Sequence, residues 1–174
     1  ESLTYLNLCG EYNQPISKLP DSLEDLILGG RYNQQLPKMP ESLTYLSLGN
    51  EYNQPLSDLP TSLTRLILGY DYNQPLVNLP MNLQSLNISE KYNETLDMLP
   101  DSITELEIPY YDKQINKLPT NLKTILINKN YKYINNLLQL IILIFYFIKY
   151  IFLLLSKNKL FILFLRFLNN KFIL

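Results

Sequence analysis

Few side chains in this 174-residue chain are of the types that carry out catalysis or bind metal ions. The sequence contains no histidine, which excludes imidazole bases, His-based catalytic triads and histidine metal ligands. Cys9 is the single cysteine, so an internal disulfide and a zinc site of the usual composition are excluded as well. The phosphate-binding patterns GxxxxGK[ST] and GxGxxG are also missing. We therefore expect no enzymatic activity, no cofactor and no bound metal.

One pair of carboxylates remains as a candidate for chemistry. Glu105 and Glu107 are two residues apart, and residues at that spacing lie on the same face of a strand. Two neighbouring carboxylates can act as a paired acid and base when one of them is buried. Nothing in the surrounding sequence predicts burial of either side chain, so a solvated acidic patch is the favoured interpretation.

Glu105, Glu107 and the other residues of the first part of the chain belong to a repeat of twenty residues. Residues 59–78 read LPTSLTRLILGYDYNQPLVN, and the preceding unit, residues 39–58, reads MPESLTYLSLGNEYNQPLSD. A fixed period of this length is typical of a solenoid, in which each coil covers the apolar face of the next. Units of this kind begin at Leu19, Met39, Leu59, Leu79, Leu99 and Leu118. The unit at Leu99 is one residue short, and the last one has lost several of the shared residues.

The pattern within a unit predicts a short strand followed by an extended return path. Leu66 and Leu68 alternate with Arg65 and Ile67, which is typical of a strand with one buried face. Twenty residues are too few to add a helix of normal length, and the prolines of each return path favour extended backbone. We predict an all-β-leaning, right-handed solenoid. Its short parallel strands would line the concave side, with extended or 3₁₀ segments on the convex side.

Two side-chain columns accompany the strands through the array. The tyrosine column would stack in or beside the core, which is a structural role. A platform on which sugars or bases stack is the functional alternative. The asparagine column would be buried and would satisfy main-chain groups left open where the strand turns, without contacting a ligand. The tyrosines are Tyr12, Tyr32, Tyr52, Tyr72, Tyr92, Tyr111 and Tyr131, and the asparagines are Asn13, Asn33, Asn53, Asn73 and Asn93.

These motifs resemble a known repeat family. The pattern LxxLxL followed by Asn is similar to the leucine-rich repeat, and the unit LPTSLTRLILGYDYNQP resembles the FNIP repeat, with its LPxSLTxLxLG lead-in and F/Y-N-x-P core. The resemblance covers residues 1 to about 136. It implies a leucine-rich-repeat-like coil that binds other proteins. FNIP repeats of amoebae and giant DNA viruses often follow an F-box, and such a role here would depend on residues before Glu1.

The outward positions of the strands form the candidate binding surface. They vary from unit to unit while the apolar framework is constant, and their mixture of Tyr, Arg and Ile is typical of a protein contact surface. Unselected variation on a solvated face is the alternative. The twelve positions are Tyr5, Asn7, Asp25, Ile27, Tyr45, Ser47, Arg65, Ile67, Ser85, Asn87, Glu105 and Glu107. Nucleic acid is not expected, because all sixteen acidic residues lie at or before Asp112, with only five basic ones.

The last part of the chain, residues 137–174, has a different composition. It consists almost entirely of Phe, Leu, Ile, Lys, Asn and Tyr, and contains no Gly, Ala, Pro, Asp or Glu. Residues 137–155 are long and apolar enough for a helical membrane span, given the roughly 20 residues needed. Translation of an A/T-rich stretch and a cap on the solenoid are the alternatives.

The sequence thus predicts a solenoid of about seven units over residues 1–136 and a hydrophobic, helical tail over residues 137–174. The favoured function is a non-enzymatic, monomeric repeat scaffold that binds another protein, with the cytoplasm as the favoured compartment. A membrane-anchored array and a degraded gene product without activity are the alternatives.

Overall fold

A computed structural model describes residues 2–128 and 131–155, with side chains described as far as Tyr146. Seven short strands form one sheet in which every neighbouring pair is parallel and the strands follow in chain order. The strands are β1 (Tyr5–Asn7), β2 (Asp25–Ile27), β3 (Tyr45–Ser47), β4 (Arg65–Ile67), β5 (Ser85–Asn87), β6 (Glu105–Ile108) and β7 (Thr124–Ile127). The predicted parallel solenoid is therefore confirmed.

The alternation of leucines places one side of each strand in the core. Leu46 and Leu66 are fully buried and pair with each other across β3 and β4, whereas Arg65 on the opposite side is exposed. The leucine just after each strand, Leu48 or Leu68, is buried too. Because each coil leaves one apolar face open, its neighbours must supply the other half of the core.

Turns and extended segments connect the strands, as the prolines predict. Residues 2–128 contain no helix, and each full coil has a short turn on either side of its strand. In the coil of β4 the Leu63 amide donates to the Pro60 carbonyl at 3.1 Å, and the Tyr72 amide donates to the Gly69 carbonyl at 3.2 Å. These bonds close the turns on either side of the strand.

The unit at Leu99 is one residue short, and the structure places this deletion after strand β6. Pairing between β5 and β6 keeps the twenty-residue offset, as with Ser85 and Glu105, but β6 pairs with β7 at nineteen, Glu105 opposite Thr124. The seventh coil forms a strand despite its eroded sequence. The shortened coil also tilts the ring of Tyr111 by 31° against that of Tyr92.

Helix α1 (Ile134–Leu155) follows the seventh coil. Its side chains Leu137 and Ile141 are buried in the core, while Leu138 and Ile142 on its outer side are exposed. The helix begins three residues before the predicted boundary at 137, because its first turn already packs on the last coil. Among the described residues, no helix is long and apolar enough to cross a membrane. Residues 156–174 of the predicted tail lie outside the described part.

Candidate functional site

We call the outward side of the seven-stranded sheet the strand face. Its residues alternate along each strand with leucines or isoleucines of the core, so their side chains share one surface. On β1 the two positions are exposed, and on β2 to β5 most are half-buried between the neighbouring strands. The structure thus brings together the twelve positions Tyr5, Asn7, Asp25, Ile27, Tyr45, Ser47, Arg65, Ile67, Ser85, Asn87, Glu105 and Glu107.

The middle of the strand face combines an aromatic ring, a guanidinium and aliphatic side chains. The guanidinium carbon of Arg65 lies 5.5 Å from the centre of the Tyr45 ring, within the range of a cation–π contact. Ile67 lies on the same strand, two residues beyond Arg65, and is half-buried. Tyr and Arg are the residue types most enriched at the energetic centres of protein interfaces.

The end of the strand face near β6 is acidic. Glu105 and Glu107 are both exposed, and the Asn87 amide donates to Oε2 of Glu107 at 2.5 Å. Two exposed carboxylates with such neighbours fit the solvated acidic patch better than a paired acid and base. In the described part of the chain no group of three or more Asp, Glu, His or Cys side chains is arranged to hold a metal ion.

The tyrosine column forms a stack of parallel rings inside the solenoid. The rings from Tyr12 to Tyr92 follow each other at 6.2–6.3 Å between centres, with interplanar angles of 2–5°. Tyr32, Tyr52 and Tyr72 are fully buried, so no face of these rings is open to a sugar or a base. The stack ends after Tyr111, since Tyr131 makes an edge contact with Tyr133.

The hydroxyl groups of the stack fall into two classes. Those of Tyr52 and Tyr72 are buried without a hydrogen bond, although the amide of Leu56 comes near the Tyr72 hydroxyl. Tyr111 instead donates to the Glu94 carbonyl at 3.1 Å. Burial raises the pKa of Tyr52 and Tyr72 well above the ordinary value, and raises the pKa of Tyr111 to about 12. All three phenols therefore stay neutral at physiological pH and contribute packing.

The asparagine column connects successive coils through side-chain oxygens. Oδ1 of Asn33 accepts the Asn53 amide at 3.0 Å, and Oδ1 of Asn53 accepts the Asn73 amide at 2.9 Å. The same bond joins Asn13 to Asn33 and Asn73 to Asn93. These side chains are half-buried in the middle of the array and exposed at its ends, so the prediction of a buried column was too strong. The first four of the five, from Asn13 to Asn73, each supply an acceptor for a main-chain amide of the next coil.

We expect Asn53→Ala to lower the free energy of unfolding by about 1–3 kcal/mol, because it leaves the partly buried amide of Asn73 without its acceptor. Asn53→Asp keeps an oxygen in that place and is the matched control, since Asp112 occupies the equivalent position in the sixth coil. Urea unfolding of both variants measures the difference. An equal loss for both would contradict this role of the side-chain oxygen.

Sequence reasoning missed a second polar column, formed by the serines of the LPxSL segments. The hydroxyls of Ser42, Ser62 and Ser102 donate to the carbonyls of Leu23, Leu43 and Leu83 in the preceding coils, at 2.6–2.7 Å. Their recurrence at one position of the unit was the available signal. It was overlooked because a serine beside a proline is also a common turn residue.

A polar groove of about 560 Å³ opens where the asparagine column ends. Its lining includes Asn93, Lys113, Lys132 and Tyr133, and it lies beside the shortened coil. The Lys132 ammonium lies over the Tyr133 ring, 5.2 Å from its centre, and Lys113 donates to the Asn93 carbonyl. Both cations of the groove are thus already engaged within the protein.

A known repeat family matches more than half of this chain. A family model described as "FNIP Repeat" matches four overlapping stretches, residues 12–50, 32–71, 52–91 and 72–111. A search of curated protein sequences gives no match. Among solved structures, one titled "The crystal structure of CroV588 a novel circular LRR protein structure" is similar, with 26% identity and a TM-score of 0.47. The similarity covers 74% of this chain but only 27% of that one, so the chain spans about a quarter of its length.

Proposed function

Because the chain belongs to the FNIP repeat family, and its repeats build a leucine-rich-repeat-like solenoid, we propose that it recognises another protein with its strand face. Solenoids of this type are generally scaffolds for interactions and not enzymes. In our proposal the chain is a non-enzymatic, monomeric receptor. In an F-box adaptor it would serve as the substrate-recognition part.

One observation carries the proposal: the variable residues of the repeat share a surface, while the constant residues share the core. Leu26, Leu46 and Leu66 occupy one register position and are fully buried. The residue before each of them is Asp25, Tyr45 or Arg65, on the opposite side of the sheet. A solenoid can therefore change its outer surface without altering its packing, which suits a module whose task is recognition.

Charge argues against nucleic acid as the partner. Residues 1–112 carry sixteen acidic side chains and five basic ones, and the strand face itself has three acids against Arg65 alone. Phosphate backbones are bound by surfaces with the opposite balance. A polypeptide with apolar and charged side chains fits the mixed strand face better.

The test is a double variant in the middle of the strand face. Tyr45→Ala/Arg65→Ala should reduce recovery of the bound protein from extracts of the source organism by about 30-fold, the effect of losing an interfacial centre worth 2 kcal/mol. Quantitative mass spectrometry after affinity capture measures it. The control is Tyr70→Ala/Lys91→Ala, since Lys91 contacts the exposed Tyr70 ring away from the strand face. A partner retained by the first variant and lost by the second would contradict the proposal.

A further inference from the structure

We infer that the partner segment bound by the strand face is cationic, with one apolar or aromatic side chain beside its basic residues. This inference rests on the proposed function and specifies the chemistry of its partner. It follows from the distribution of charge over the strand face, from the exposed carboxylates of β6 and from the distance between β4 and β6.

The charge of the strand face is negative and unevenly distributed. Asp25, Glu105 and Glu107 oppose the single cation Arg65, which gives a formal charge of −2 over the twelve positions. The guanidinium of Arg65 is covered on one side by the Tyr45 ring, whereas both glutamates are exposed. An incoming chain is therefore attracted when it is basic and repelled when it is acidic.

The two glutamates of β6 are placed to accept a basic side chain. Residues i and i+2 of a strand are about 7 Å apart on one face, a separation that a guanidinium or ammonium group can bridge through its several donors. Asn87 donates to one oxygen of Glu107 and so holds that carboxylate in position. Within residues 2–128 and 131–146, the side-chain carboxylate of Glu105 has no hydrogen bond and no ion pair, whereas the main-chain amide of this residue donates to the Gln84 carbonyl. A partner cation would complete the pairing of both carboxylates.

The apolar contact lies two strands away. Tyr45 on β3 and Ile67 on β4 are half-buried diagonal neighbours, because Tyr45 pairs with Arg65 and Ser47 pairs with Ile67. Strand β5 separates β4 from β6, and its Asn87 lies between Ile67 and Glu107 in the register. Parallel strands are about 4.8 Å apart, so the distance from β4 to β6 is roughly 10 Å. An extended segment crossing the strands covers that distance in about three residues. The segment should thus carry its apolar side chain about three residues from the basic side chain that the two glutamates accept.

Selection of peptides tests this inference. A random library of displayed 12-residue peptides is selected on the full chain, and enriched peptides are synthesised with a fluorescent label for anisotropy titrations. We expect peptides of net positive charge with an apolar residue near the basic ones. Their affinity should fall more than about tenfold with Glu105→Gln/Glu107→Gln, and the dependence of binding on salt should weaken. Glu51→Gln/Glu90→Gln removes the same charge from exposed sites outside the strand face and should change affinity less than about twofold.

The outcomes separate this inference from the function on which it rests. Tyr45→Ala/Ile67→Ala serves to identify peptides that bind the strand face. Another result would be peptides that depend on Tyr45 and Ile67 and yet are neutral or acidic, or that bind equally well after the two glutamine substitutions in β6. That result would contradict the inference of a cationic partner segment and would leave the proposed binding function intact. A selection in which no peptide depends on Tyr45 and Ile67 would overturn both. Thermal unfolding of each variant excludes loss of the fold as the cause.

Discussion

Tyr52→Ala should lower the free energy of unfolding by about 3–5 kcal/mol, the range measured when a buried aromatic side chain is removed. The ring is fully buried and is covered on both faces, by Tyr32 at 6.3 Å and by Tyr72 at 6.2 Å between ring centres. Its loss leaves a cavity between the neighbouring rings, which are fixed by their own coils and cannot move together. Chemical denaturation followed by circular dichroism measures the effect.

Two further substitutions separate ring packing from hydroxyl chemistry. Tyr52→Phe should be neutral or slightly stabilising, because the hydroxyl of Tyr52 is buried without a hydrogen bond. Tyr12→Ala should cost less than Tyr52→Ala, since Tyr12 stacks on one ring only and is 36% exposed. If Tyr52→Phe were as damaging as Tyr52→Ala, the stack would depend on a polar contact and not on packing.

The fold was predictable because the residues that form each contact recur at the same position in several units. Leu66 and Tyr72 recur at the same place in neighbouring units, and in a solenoid equal sequence positions lie directly above one another. The strand register and the stacked rings follow from that rule, whereas the absence of a helix from residues 2–128 follows from the length of the unit and from its prolines. A single copy of the unit would not have distinguished a buried tyrosine from an exposed one.

The remaining features depend on residues that occur once. The contact between Arg65 and Tyr45 requires two particular side chains on adjacent strands and a particular choice of torsion angles, which no periodicity specifies. Burial of Leu137 and Ile141 of α1 against the last coil follows from the direction in which the chain leaves β7, and composition alone left three interpretations of that segment open. The candidate surface was predictable as a set of positions, but its internal contacts were not.

Gly69→Ala should destabilise the protein by about 3 kcal/mol, the upper part of the range for overpacking a well-packed interior. A Cβ atom at Gly69 would lie 1.8 Å from the carbonyl oxygen of Gly49 and 2.6 Å from its carbonyl carbon. Both atoms belong to the main chain of the preceding coil, so no side-chain rotation can relieve the clash and the two coils must separate. Thermal and urea unfolding measure the loss, with Gly30→Ala as the control, because its Cβ would lie 3.8 Å from the nearest atom.

Ser89 shows that a side chain can be present at this position of a coil when its hydroxyl makes a hydrogen bond. It occupies the same position one coil later, and its hydroxyl donates to the Tyr72 carbonyl at 2.7 Å. Gly69→Ser can gain the corresponding bond to the Tyr52 carbonyl, so we expect it to be less destabilising than Gly69→Ala by about 1 kcal/mol. Equal losses for the two variants would mean that the hydroxyl of Ser89 does not offset the cost of its Cβ atom.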